Sequence, residues 1–340
     1  MTAISANAGD LLTAVPGLLG FIPERSLILV PSADATILST MRQDIHRGPH
    51  GEIIGDFFEV IDSIGPIIVG AGADRVDAII VDDRPACAAT HLSVMQAVNT
   101  ATRGRLTAGY HLARMAEGEP WTLVWGDQAE SDPVRALGDP FTSPIAVHFA
   151  VTNGRHVAAT RNQIMDLTPT PCHCRACFTA QHFDGANHFE PSPADALAAI
   201  MDALAGDPAS LDCRAVHALG AHICDLNVRD AALVLGATDL RFRAEQLWRT
   251  IARRSVGTPR ASAATMLAHQ AYIAGEGAAA GLALDTALTA DNEWGLAQVL
   301  DAALREGVHP NKLWETLPCN LAAATALGVT MPDLTLRPAA

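Results

Sequence analysis

The stretch that most constrains the fold is residues 261–307, where apolar side chains recur at the spacing of a helix. Gly275 and Gly277 interrupt the pattern and mark a turn, so the stretch predicts two antiparallel helices followed by a third. The small and large positions resemble those of a tetratricopeptide repeat, in which alanine lets paired helix backbones approach closely. These positions are Ala264, Leu267, Ala268, Ala271, Ala280, Leu284 and Ala287.

The repeat-like pattern does not continue along the chain. After Asp291-Asn292 the apolar residues Trp294, Leu296, Leu300 and Leu304 keep a helical period but leave the repeat positions. We therefore predict one tetratricopeptide-like hairpin inside a helical domain, not a solenoid. Two interpretations are open. The helices pack as in an ordinary alanine-rich bundle, or they form a groove that binds another protein.

The first half of the chain alternates strand-like and helix-like segments. The run at residues 26–30 is apolar after Ser26, which is typical of a strand buried on both faces, and residues 76–81 are predicted to form another buried strand. Further strands are predicted at residues 35–45 and 121–125, and helices at residues 10–19, 52–64, 91–102 and 143–151. Strands that alternate with helices predict an α/β domain with a mixed sheet.

Length and composition shifts divide the chain into parts. A chain of 340 residues suggests two domains, each large enough for its own core. We predict an α/β domain at residues 1–170, a Cys/His-rich linker or loop at 171–192, an all-α helical domain at 193–327 and a peripheral tail at 328–340.

Charge and hydropathy exclude several classes of function. The net charge is −14, and acidic residues outnumber basic ones in both halves, which argues against a nucleic-acid partner. No apolar run is long enough for a membrane span, and no basic segment precedes Leu11 as in a secretory signal. The odd number of cysteines, seven, does not suggest a disulfide framework, so the prediction is a soluble cytoplasmic protein. Lys312 is the only lysine, and this bias indicates a high-GC genome.

Several stretches in a fixed order resemble one bacterial family of unknown function, the domain-of-unknown-function family 4192. They are LLTAVPGLLGFIPERSLILV at 11–30, MRQDI at 41–45, TSPIAVHFAVTNGRHVAATRNQIMDLTP at 142–169, NVRDAAL at 227–233, and residues 267–307. The resemblance covers most of the chain and implies an α/β part followed by a helical part, but no activity. Family members often carry a Cys-Cys-Pro segment after the strand at 121–125, where this chain reads GDQAESDPVRALGDP.

The densest group of metal-ligand residues is the segment PCHCRAC at 171–177. Cys174 and Cys177 have the C-x-x-C spacing with which two thiolates bind one tetrahedral zinc ion. Cys172 and a later histidine, His182 or His188, can complete the ligand set, so one structural zinc is a candidate, although a second C-x-x-C or H-x3-H pair is missing. A redox-active thiol pair and an exposed loop without function are the open alternatives.

Polar residues on the predicted sheet form a candidate ligand site. Arg42 and Asp44 are two residues apart on a predicted strand and therefore share a face. Asp82 and Asp83 follow a buried strand, a place where α/β proteins commonly bind ligands. Arg42, Asp44 and Asp82 can thus line a pocket for a small molecule or a cation. The alternative is a surface ion pair and a turn aspartate.

A complete catalytic motif is not found in the sequence. There is no G-x-S-x-G nucleophile motif, and Gly70-Ala71-Gly72-Ala73 precedes a strand, whereas a dinucleotide fingerprint follows one. We therefore predict an uncharacterised, non-catalytic protein whose helical domain binds an unidentified protein partner. The alternative hypothesis is an α/β enzyme or a small-molecule-binding protein that uses Arg42, Asp44 and Asp82.

Overall fold

The computed structural model describes residues 7–85, 88–127, 135–170 and 191–335. The chain divides into two compact units, Met1–Ile164 and Met165–Ala339. The N-terminal unit contains strands and helices, whereas the described residues of the C-terminal unit form helices connected by turns. The predicted α/β part followed by a helix-rich part is therefore confirmed.

The elements of the N-terminal unit follow the predicted alternation of strands and helices. Its helices are α1 (Ala8–Leu19), α2 (Phe57–Gly70), α3 (Ala88–Ala101), α4 (Pro144–Asn153) and α5 (Arg161–Ile164). Its strands are β1 (Ser26–Ala33), β2 (Thr36–Ile37), β3 (Met41–Asp44), β4 (Arg75–Val81), β5 (Leu106–Leu112) and β6 (Trp121–Trp125).

The strands form one mixed sheet, as the sequence predicted. Its order is β2-β1-β4-β5-β6, and β3 pairs with β1 alongside β2. Only β4 and β5 are parallel among these pairs, and α3 provides the crossover between them. This crossover places the carboxyl ends of β4 and β5 side by side at one edge of the sheet.

One face of the sheet packs on α2 and α3. Leu27 lies opposite Ile80 and Leu29 opposite Ala78, so these four side chains share that face and join a core with both helices. The helix residues of this core are Phe57, Ile61, Ile68, Val94, Met95 and Val98. Most of the alternate residues of β1 and β4, which point to the other face, are buried too, which explains why both strands are largely apolar.

The fifth strand, β5, was not predicted from the sequence. The segment LTAGYHL gave no strand signal because Thr107, Gly109 and His111 interrupt its apolar run. Gly109 leaves room for its neighbours, since a Cβ there would lie 2.5 Å from Sδ of Met95 on α3 and 2.9 Å from Cβ of Trp125 on β6. Gly109, one of the residues that make the segment unlike a strand, thus leaves space for the α3 side chain that packs against β5.

Two other N-terminal elements differ from prediction. Residues 35–45 form two short strands, β2 and β3, where one was predicted. Asp34 and Ala35 adopt positive φ angles in a tight turn, and after this turn only the residues of β2 and β3 pair with β1. The helix predicted from Glu52 begins at Phe57, because the preceding residues form a loop closed by a bridge between Arg47 and Ile53.

The C-terminal unit consists of successive helices. They are α6 (Pro193–Ala205), α7 (Cys213–His222), α8 (Leu226–Ala232), a 3-10 helix (Leu233–Ala237), α9 (Arg241–Arg254), α10 (Gly257–Ile273), α11 (Gly277–Ala290), α12 (Gly295–Arg305), α13 (Asn311–Trp314) and α14 (Leu317–Ala326). Ser192, Asp212 and Asp225 cap α6, α7 and α8 by accepting hydrogen bonds from backbone N–H groups of the first turn.

Helix α10 lies at the centre of this unit. Every residue from Ala261 to Ile273 is buried, and the helix packs against α7, the 3-10 helix, α9, α11, α12 and α13. Its small side chains allow this close approach on all sides. The first helix of the predicted hairpin is thus a core element, and it packs most extensively on the second, α11.

The segment after Leu327 is not entirely peripheral. Met331 is buried, and Leu334 pairs with Thr238 while the N–H of Thr335 donates to the carbonyl of Ala237. These few contacts attach the segment to the 3-10 helix and to the residue that follows it. Within the described residues, no helix combines the length and the apolar character needed to cross a bilayer.

Candidate functional site

The carboxyl ends of β4 and β5 carry a densely connected group of charged side chains. Asp82 follows β4 directly, and its backbone N–H donates to the carbonyl of Leu112 at the end of β5, at 3.1 Å. Its side chain has no solvent-exposed surface. Open α/β sheets place their ligands at this edge, beyond the carboxyl ends of the strands.

Two arginines saturate the Asp82 carboxylate. Oδ1 accepts from Nε of Arg84 at 2.7 Å and from its backbone N–H at 3.2 Å. Oδ2 accepts from Nε of Arg47 at 2.7 Å and from Nη2 of Arg84 at 3.1 Å. A carboxylate offers about four acceptor positions, so all of those on Asp82 are occupied.

The loop between β3 and α2 brings Arg47 to this edge. The bridge between Arg47 and Ile53 closes the loop, and Nη1 of Arg47 donates to the carbonyl of Gly51 at 2.8 Å. Nη2 of Arg84 donates to the carbonyl of Ile45 at 2.8 Å and ties the β4 end to the same loop. The Arg47 side chain is only 4% exposed, whereas that of Arg84 is 26% exposed.

Two histidines lie beside the carboxylate. His91 on α3 stacks on His111 of β5, with ring centroids 4.2 Å apart, and Nε2 of His111 lies 3.3 Å from the backbone oxygen of Asp82. His91 is 8% exposed, and its buried Nε2 has no hydrogen-bond partner among the described residues. Burial, then the nearby His111 and Arg47, lower the pKa of His91 to about 4 against a smaller opposing effect of Asp82.

The electrostatics of the group favour the charged carboxylate. Burial by itself would raise the pKa of Asp82, but the hydrogen bonds from Arg84 and Arg47 outweigh burial and hold that pKa below its usual value. Asp82 is therefore ionised at neutral pH. One carboxylate then faces two guanidinium groups, which leaves the group with one excess positive charge.

The structure separates the three residues that the sequence singled out as a ligand site. Arg42 and Asp44 pair with each other on β3, and Arg42 also lies over the ring of Phe21 at 5.4 Å. Arg42 lies opposite Ile28, so it points away from the sheet face on which Leu27 and Ile80 meet α2 and α3. Asp82 pairs instead with arginines and lies beside a histidine of α3.

Sequence reasoning found Asp82 but missed its partners. Arg84 stands two residues after Asp82, just beyond a buried strand. This short spacing was a usable signal that the two side chains could pair. His91 opens the next helix of the crossover, which is also a position near the sheet edge. Arg47 is 35 residues away in sequence and had no local signal, since only the fold of its loop brings it to Asp82.

The predicted zinc ligands Cys172, Cys174, Cys177 and His182 all lie outside the described residues. Among the residues that the structure does describe, there is no group of three or more His, Cys, Asp or Glu side chains that could hold a metal ion. The structural zinc stays a prediction of the sequence.

Metal analysis tests this zinc prediction. We expect the purified wild-type chain to carry about one zinc per molecule and Cys174→Ser to lose it, since a tetrahedral site needs all of its ligands. Inductively coupled plasma mass spectrometry measures the content. Cys319→Ser is the matched control, because Cys319 is an exposed free cysteine of the helical unit. A wild-type chain without zinc, or one whose zinc survives Cys174→Ser, would contradict the prediction.

Fold and site together define a two-unit protein with a mixed α/β sheet, a charged group at its parallel edge and a separate helical unit. The chain belongs to the family described as a domain of unknown function, DUF4192, whose model matches residues 9–311. The resemblance seen in the sequence is thereby confirmed. No curated protein and no solved structure gives a significant match to the chain.

Proposed function

We propose that the N-terminal unit binds a small molecule at the carboxyl edge of β4 and β5, with Arg47 and Arg84 as its binding residues. The observation that carries the proposal is the fully buried Asp82 carboxylate, which holds two guanidinium groups together at this edge. Removing both charges of an ion pair from water is costly, so this pair by itself contributes little net stability. The location is also the one at which α/β sheets bind ligands.

Asp82 has a positioning role in this proposal. Its four acceptor positions are filled by Arg47 and Arg84, so no lone pair remains for a cation or for a substrate proton. Arg42 and Asp44 lie on the other face of the sheet and are not part of the proposed site. Of the three residues selected from the sequence, the proposal keeps Asp82.

Ligand-observed NMR on the full-length chain tests this function. The panel contains nucleotides, sugars, amino acids and di- and tricarboxylic acids, and each compound is measured with wild type, Arg84→Gln and Arg114→Gln. Arg84→Gln keeps an amide in place of the charge, and Arg114 is a matched control whose side chain is 72% exposed. We expect at least one compound to bind wild type and Arg114→Gln but not Arg84→Gln. Failure of every compound, or equal binding to all three, would contradict the proposal.

The helical unit supports a second candidate function, the binding of a protein partner. Consecutive helices α9, α10, α11 and α12 pack on one another, an arrangement shared with helical-repeat proteins, many of which bind other proteins. The tetratricopeptide-like character of α10 and α11 belongs to this proposal. Because α10 is buried from Ala261 to Ile273, a partner would contact the outer helices, where Val299 of α12 is 64% exposed.

A tagged pull-down tests the second candidate. The full-length chain is used at moderate salt, and captured proteins are identified and quantified by mass spectrometry. Val299→Glu is compared with Val151→Glu, a matched control in the N-terminal unit whose side chain is 79% exposed. A stoichiometric partner that Val299→Glu loses and Val151→Glu keeps would support the candidate. Recovery of the bare protein in every case would count against it.

A further inference from the structure

The two arginines at the sheet edge have hydrogen-bond donors to spare. Arg47 uses Nε and Nη1 for Asp82 and Gly51, and its Nη2 has no partner among the described residues. Arg84 uses Nε and Nη2 for Asp82 and Ile45, and its Nη1 likewise has no partner in the described part of the chain. Each guanidinium therefore keeps one NH₂ group available, which can donate a charge-assisted hydrogen bond to an oxyanion.

The group at the sheet edge also carries an excess of positive charge. Arg47 and Arg84 contribute two positive charges and Asp82 one negative charge. The neighbouring pair of Arg25 and Asp83 is neutral as a whole and does not alter this difference. Because the Arg47 side chain is almost completely buried, water screens its charge poorly, and an anion is the natural partner for the excess.

His91 adds a neutral polar atom beside this charge. Its ring is more than nine-tenths buried, and Nε2 has no partner among the described residues. Arg47 lies close enough to contribute to the low pKa of His91, about 4, although burial is the larger cause. The imidazole is neutral at pH 7, so it adds hydrogen-bonding capacity without adding to the positive charge.

We infer that the ligand of this edge carries an oxyanion, a phosphate or carboxylate group, which the free NH₂ groups of Arg47 and Arg84 bind together. The inference rests on the proposed function and names the chemistry of its ligand. A metal cation is the wrong class of ligand, because the Asp82 oxygens are already filled by donors. The partly exposed Arg84 provides the side from which the anion approaches.

Isothermal titration calorimetry with inorganic phosphate and with malonate tests the inference. The full-length chain is titrated at constant ionic strength set with sodium chloride, so that general screening stays equal. We expect saturable one-site binding of at least one of the two anions. Arg84→Gln should weaken it by about tenfold or more, because a charge-assisted hydrogen bond is lost, and Arg114→Gln should leave it unchanged.

A measurement on wild type alone covers the case in which Arg84→Gln does not fold. In two-dimensional NMR, the Nε–Hε signals of the arginines are followed during the same titrations, and we expect a few of them, including those of Arg47 and Arg84, to shift to saturation. Phosphate binding without malonate binding, or the reverse, identifies the source of the oxyanion and supports the inference.

Two outcomes would overturn the inference, and they are distinguishable. If neither anion binds while a neutral compound of the NMR panel binds in an Arg84-dependent manner, the oxyanion inference is wrong and the proposed function stands. If neither anion and no compound of the panel binds, the proposed function fails together with the inference.

Discussion

Replacing Asp82 with alanine is expected to lower the free energy of unfolding of the N-terminal unit by about 3–5 kcal/mol. The substitution leaves Arg47, 4% exposed, and Arg84 without the carboxylate that each contacts at 2.7 Å. A buried guanidinium without its partner keeps its full desolvation penalty, and the two positive charges then repel each other. The loop that contains Arg47 would also lose its attachment to β4.

Hydrogen exchange measured by mass spectrometry resolves this effect, because it reports on β4 and β5 separately from the helical unit. Exchange of their peptides at increasing urea concentrations gives the unfolding free energy of the N-terminal unit. Asp83→Ala is the matched control, since Asp83 pairs with Arg25 at 3.1 Å on the surface and should change stability little. A loss for Asp82→Ala no larger than that for Asp83→Ala would contradict the account of the site.

The second large expected effect concerns His269 on α10. This histidine is completely buried, its Nδ1 has no partner among the described residues, and burial lowers its pKa to about 4. The unfolded chain binds a proton at this side chain near pH 6.5, whereas the folded unit does so only near pH 4. Acid between these values therefore stabilises the unfolded state. We expect a loss of about 2–3 kcal/mol from His269 between pH 7 and pH 4.5.

His269→Leu should flatten this part of the pH dependence, because leucine is apolar, similar in size and cannot bind a proton. Urea-dependent hydrogen exchange of peptides from α10 and α11, at pH 7 and pH 4.5, gives the free energy in each condition once exchange times are corrected for pH. His309→Leu is the control, as His309 is an exposed histidine of the same unit. Equal losses of stability in wild type and His269→Leu would show that the imidazole is not the acid-sensitive group.

The candidate site shows where sequence reasoning stops. Asp82 was identified because a polar residue that follows a largely apolar strand is a local pattern. Its pairing with Arg47 depends on a loop that the fold of residues 45–55 shapes, and no local pattern encodes it. Arg42 and Asp44 are neighbours on one strand, as predicted, but only the strand register shows that Arg42 points away from the sheet face that meets α2 and α3.

The sequence by itself determined which segments are buried strands and which are helices, because continuous and periodic apolar patterns report local burial. It predicted β1, β4 and β6, the helix-rich second half and the family. The tertiary structure decided what depends on distant contacts: that LTAGYHL is a strand, since it pairs with β4 and β6; that α10 is a central helix covered on all sides; and that Asp82 holds two arginines. Patterning records that a residue is buried, whereas its partners are fixed only when separate elements pack.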